Sequence, residues 1–160
     1  MPSPGLPDAA DASLPAVPFR LRVPATTRTG GMRSVTSREH DVRGIARIEQ
    51  DALVLEWSGT TTVSEVEGFA TDVRSEPFPA GRRAVPLTAV RSIRRLGWWW
   101  RPRVELQVRE LDALAGVPAA RGPTLSLDLD RDDVPPAGRL VVAVRATCRR
   151  LLSGAVSGPL

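Results

Sequence analysis

The sequence predicts a mainly β domain, about six or seven antiparallel strands curled into a sandwich or barrel, capped by one C-terminal amphipathic helix. Three observations carry that prediction. Short segments such as RVELQV and TLSLD alternate apolar and polar residues with the two-residue period of a half-buried strand. Stretches rich in Gly, Pro and Asp punctuate them at turn spacing. From Val134 onward the apolar period changes to three and four residues, the spacing of one helix face.

The chain has 160 residues, room for one ordinary domain plus tails, and 42% of them are hydrophobic, enough for a modest core. Residues 1–41 read as a Pro-rich, largely disordered tail. Six prolines fall in the first 24 positions, and proline brings no N–H to a ladder. The alternation in FRLRV leaves open a short edge strand there, with Phe19, Leu21 and Val23 on one face. Met32, the only internal methionine, offers an alternative start of translation.

The domain itself is read over residues 42–152. GIARIEQDALVLEWSG is a hairpin turning at EQDA, with Leu53, Leu55 and Trp57 on one face. TTTVSEVEGF is β-prone, and Gly68 marks a bulge or bend. SEPFPAGRR reads as a loop because of its prolines and glycine. In AVPLTAVRSIRRLG the spacing of Leu87, Val90, Ile93 and Leu96 fits either a helical turn or a bulged strand. Pro86 and the β-branched residues favour the strand. RVELQVRE turns Val104, Leu106 and Val108 inward, and TLSLDLD does the same with Leu125, Leu127 and Leu129. Between them LDALAGVPAARGP folds back over one end. The helix starts after Asp132 or Asp133 with Pro135 and Pro136 in its first turn, where a missing N–H costs nothing. Its stripe is Val134, Ala137, Val141, Val144, Cys148 and Leu151, widened by Leu140 and Leu152. Residues 153–160 read as a short flexible tail.

Composition narrows the function classes. All 22 basic residues are arginine and the net charge is only +4, less than a protein that coats nucleic acid carries. The single cysteine excludes an intrachain disulfide and a cysteine metal site. No signal-peptide pattern opens the chain, and LVVAV (Leu140–Val144) is far too short to span a bilayer. The expectation is a cytoplasmic protein, at most peripheral to a membrane.

The succession GIARIEQDALVLEW, VPLTAVRSIRRLGWWW, VELQVRELDALAGVP and LSLDLDRDD followed by the helix resembles the pleckstrin-homology-like (PH-like) domains of small bacterial proteins. In these a (V/I)-P-L-x-x-(V/I) segment precedes a strand ending in Gly-Trp. The resemblance covers residues 42–152. It implies a curved sheet capped by the helix and a binding or self-association module without shared enzymatic activity. PH domains that bind phosphoinositides use a basic loop between their first two strands. That loop is taken here as the acidic EQDA, so the resemblance does not carry phosphoinositide recognition.

The candidate contact surface is RRLGWWWRPR. Extending the alternation of the following strand backward sends Trp98 and Trp100 to the core and leaves Trp99 outside with Arg101 and Arg103. From Arg82 to Arg103 there are seven arginines and no acid. Either this patch meets a partner, or Glu65, Glu67, Glu105 or Glu110 on neighbouring strands neutralise it. The expected contact set is Arg94, Arg95, Trp99, Arg101 and Arg103. A protein partner or a second copy is the first reading and an anionic membrane surface the second. Nucleic acid is disfavoured, because adjacent tryptophans are not spaced to stack successive bases. No catalytic, cofactor or metal residues are assigned. His40 has no second histidine, Cys148 lies on the apolar stripe, and Asp128, Asp130, Asp132 and Asp133 lack the glycine and glutamate of a calcium loop.

Overall fold

A computed structural model describes residues 15–31 and 33–156. Residues 1–14, Met32 and 157–160 lie outside the described part, and with them most of the proline-dense stretch, the alternative start and the end of the expected C-terminal tail. The elements are β1 (Val17–Leu21), β2 (Thr26–Gly30), β3 (Ser34–Glu49), β4 (Ala52–Glu67), β5 (Ala70–Pro86), β6 (Val90–Leu96), β7 (Arg103–Val108), β8 (Thr124–Asp128) and α1 (Val134–Val156). The eight strands make one antiparallel sheet in the order β5-β4-β3-β1-β8-β7-β6, with β2 also on β3. The predicted class holds, as an unclosed curved sheet with one C-terminal helix, and the strand number rises to eight. Among the described residues no helix is long and apolar enough to cross a membrane.

The expected tail is in large part sheet. Residues 17–41 carry β1, β2 and the first half of β3. The alternation in β1 buries Val17, Phe19 and Leu21. The strand is not at an edge but between β3 and β8. Pro18 is compatible with this position because its flanking residues complete the register with β3, Val17 opposite Ala46 through Leu21 opposite Val42. A chain starting at Met32 would leave β3 and β8 without this partner.

SEPFPAGRR is also not a loop. It lies within β5, whose prolines 77, 79 and 86 are tolerated because β5 ends the sheet and pairs only with β4. A register shift between Trp57 and Gly59 takes up the irregularity. The EQDA turn is confirmed between Glu49 and Ala52, with Gln50 at φ 54°, and Gly68 lies in the turn from β4 to β5. Both readings of AVPLTAVRSIRRLG hold in part. Leu87–Ala89 is one 3-10 turn, and β6 follows with a bulge between Val90 and Ser92. The helix runs to Val156, beyond the expected boundary at residue 152.

The inner face of the sheet carries one row of alternating size. Phe19 of β1 stands opposite Gly44 of β3, Gly44 opposite Trp57 of β4, and Trp57 opposite Gly81 of β5. The two rings need the two gaps. A Cβ on Gly44 would run into the Phe19 ring and the Glu56 carbonyl, and one on Gly81 into the Trp57 indole. Ala137, Leu140, Val141 and Val144 of α1 complete the core over the strands. The helix also satisfies backbone of the turn and strand it covers. Arg145 Nε donates to the Ile93 carbonyl at 2.9 Å, and Cys148 Sγ lies 3.2 Å from the Leu87 carbonyl. At the other end of the strand order, Arg83 donates to the carbonyls of Ala113 and Asp112. That holds the core half of β5 to the long β7–β8 connection.

Gly44→Ala is expected to lose roughly 2–3 kcal/mol in a urea titration, at the upper end of the range for overpacking, because a backbone carbonyl blocks the methyl. Gly81→Ala should lose less, since only a side chain must move. Equal, negligible losses would contradict the packing of this row.

Candidate functional site

Beyond the core, the sequence's oddest stretch becomes a loop. β6 ends at Leu96 and β7 begins at Arg103, so residues 97–102 connect them and the strand alternation does not extend back through the tryptophans. Gly97 sits at φ 89°, and a Cβ there would collide with the Arg101 carbonyl. Only glycine suits that geometry. Arg101 N–H donates to the Trp98 carbonyl at 2.9 Å, closing the turn, and Leu129 N–H donates to the Pro102 carbonyl at 2.9 Å, tying the loop to the residue that follows β8.

The consequence corrects the expected orientation of the rings. Trp98 and Trp100 do not enter the core: Trp98, Trp99 and Trp100 are 70%, 68% and 52% exposed. The inward position in this stretch is taken by Pro102, which is buried. Trp98 and Trp100 stack at 5.2 Å between centroids, and Trp99 meets Trp100 edge-on at 5.5 Å. Arg131, from the turn before α1, lies 4.5 Å above the Trp99 ring, within cation–π range. The indoles thus support one another outside the protein. A groove of about 390 Å³ runs beside them, walled by Arg95, Leu96, Trp98, Trp99, Arg131 and Val134.

The five expected contact residues separate. Arg95 and Trp99 share the groove. Arg101 is exposed on the loop itself. Arg103 lines a different cleft of about 250 Å³, with Arg22, Arg121, Ser126 and Asp128. Arg94 pairs with Glu105 at 2.7 Å, the neutralisation expected from one of the four named acids. Glu65 instead pairs with Arg74, and Arg82 is neutralised by Glu49 and Glu56, at 2.7 and 3.1 Å. Hydrogen bonding from Arg47 holds the Glu56 carboxyl below its usual range. Arg95, Arg101 and Arg103 form no ion pair among the described residues. Arg131 escaped the sequence reading because its partner ring is 32 positions away; nothing local marks it.

The remaining candidates have structural places. His40 is in β3, its Nδ1 2.9 Å from the Thr61 hydroxyl and its ring edge-on to Phe78. Burial pushes the Cys148 thiol up, away from the thiolate a nucleophile needs. Asp128 and Asp130 pair with Arg22 and Arg20, at 2.9 and 3.4 Å. EQDA joins β3 to β4 and not the first two strands. The connection that follows β1 holds β2 and the arginines 22, 28 and 33, so the acidic turn is no argument about that loop. No family model, curated protein or solved structure matches the chain.

Three exposed indoles beside unpaired arginines predict a particular fluorescence behaviour. Iodide should quench most of the tryptophan emission, and more strongly than caesium does, because the local charge attracts anions. Trp57 should supply the unquenched remainder. Quenching confined to a minor fraction would contradict the loop geometry.

Proposed function

We propose that this protein is a non-enzymatic binding module of PH-like architecture that works in the cytoplasm and engages a protein partner, or another copy of itself, through the Trp98–Trp100 loop. The observation that carries this reading is the exposure of all three consecutive indoles. Contiguous aromatic surface of this kind marks interaction sites, and tryptophan and arginine dominate binding hot spots. The loop is also pre-organised by Gly97, the Arg101–Trp98 hydrogen bond and the stacked rings, which lowers the ordering cost of association. The curved sheet with its capping helix supports the PH-like assignment. A lone thiol suits a reducing compartment.

The second reading, attachment to an anionic membrane, is favoured by Arg95, Arg101 and Arg103, which have no carboxylate partner among the described residues. At about 1 kcal/mol per arginine near an anionic surface, charge contributes roughly 3 kcal/mol, short even of millimolar affinity. Insertion of the indoles at the interface would have to supply the rest.

The test compares the native protein with the variant Trp98→Ala/Trp99→Ala/Trp100→Ala. Partners retained from a lysate are quantified for both, and both are sedimented with vesicles of neutral and of phosphatidylserine-containing lipid. The expected result is retained proteins lost in the variant, with an unchanged melting temperature and no vesicle binding. Vesicle binding that rises with phosphatidylserine and collapses in salt selects the second reading. Identical behaviour of both proteins in both arms overturns the site.

A further inference from the structure

A second surface lies at the opposite limit of the strand order. The long strands β3, β4 and β5 continue past the core, and β2 joins β3 only there, Thr26 opposite Arg38 to Gly30 opposite Ser34. In this extension β5 is the terminal strand. Its residues Ala70 to Ser75 are all exposed, and among the described residues nothing pairs with their outer side. Arg83 and the 111–114 turn cover only the core half of the same strand. Exposed edges of this kind template pairing with another strand. Pro77 and Pro79 have no N–H to offer, so pairing is confined to the stretch before them.

We propose that a second copy of this chain pairs antiparallel with β5 along residues 70–76, with a two-fold axis through Val73. The segment is self-complementary in that register and in neither neighbouring one. Centred on Val73, Asp72 stands opposite the second copy's Arg74, and Arg74 opposite the second copy's Asp72. Centred on Asp72 instead, two aspartates face each other. Centred on Arg74, two arginines face each other and Asp72 meets Glu76. Directly opposed charges on one face decide strand register in this way.

The state of Asp72 supports the assignment. Arg74 holds Glu65 and Glu76 at 3.1 Å, whereas its contact with Asp72 is 3.9 Å. Asp72 is 73% exposed and is the least engaged of the three acids. On the reverse face Val73, 60% exposed, has Val66 as its diagonal neighbour, and Val66 stands opposite Val35. A two-fold axis through Val73 brings the two valine patches side by side on one face of the continued sheet, Val73 opposite the second copy's Val73. The contact is isologous and closes at two copies. It is independent of the tryptophan loop, which contributes no residue to it.

Sedimentation over a concentration series, in low and high salt, tests the pairing. The native chain is expected to dimerise. Asp72→Arg and Arg74→Asp, each alone, place like charges opposite one another twice and should weaken the dimer at least tenfold. Mixed together, the two variants restore both opposite-charge pairs and should dimerise as a heterodimer, a recovery that a folding defect cannot imitate. Val73→Cys, at an exposed position, provides a second readout: mild oxidation should link two copies through residue 73. A native chain that stays monomeric throughout, a dimer indifferent to both variants, or a mixture that fails to recover would overturn the proposal. A dimer lost only in the triple tryptophan variant would support the loop as a self-association site and overturn the edge.

Discussion

Among the described residues, Val17–Leu21 is the only strand that connects the two halves of the sheet. On one side it completes a five-residue register with β3; on the other, it meets β8 at Arg20 opposite Asp128. Without it the β3-β4-β5 set and the β8-β7-β6 set would share a helix and a core but no ladder. Its three inward side chains are all buried. At about 1.5–3 kcal/mol for each fully buried side chain of this size, they contribute an amount comparable with the whole net stability of an ordinary domain. Phe19 also begins the row that passes through Gly44 and Trp57 to Gly81, so one strand supplies both the junction and the packing that continues across it.

The other parts follow from a sheet that curves without closing. The strands with a single partner, β5 and β6 at the ends of the order and β2 beside β3, leave backbone groups to satisfy. Helix α1 covers the β6 side, with Arg145 on the Ile93 carbonyl. Arg83 fastens part of β5 to the turn at 111–114. What remains uncovered among the described residues is the outer half of β5, where prolines limit pairing, and, across the same extension, the outer side of β2, which pairs only with β3. The two surfaces that stand out are consequences of this layout. One is a hairpin loop that carries its indoles outward, and the other is an edge that no element of the described chain reaches.

Much of the architecture was legible because its signals are local. Leu53, Leu55, Val104, Leu106, Val108, Leu125 and Leu127 alternate as strands do and are all buried, and the helix stripe through Ala137, Val141 and Val144 points where its spacing said. Two failures share one cause: proline was read as local punctuation. At Pro18 the neighbouring Val17 and Phe19 still fill the core. At Pro77 and Pro79 the strand is terminal and needs no further donors. Tertiary position decided both, and it is not written in the residues themselves. The tryptophans failed differently. The alternation of β7 does not continue back past Arg103: residues 97–102 form a loop, with Gly97 at φ 89°, and this reverses the expectation for Trp98 and Trp100. The Arg131–Trp99 contact and the neutralisation of Arg82 by Glu49 and Glu56 depend on strand order, which one sequence does not reveal.

The account stands on β1 as an interior strand, and native-state hydrogen exchange reads that directly. Its ladder amides between residues 17 and 21 should exchange only on global unfolding, as slowly as the most protected amides of β4 around Leu53 and Leu55. Exchange in this segment at the rate of an unprotected chain, while β4 remains protected, would show that the sheet holds together without it and would contradict the architecture described.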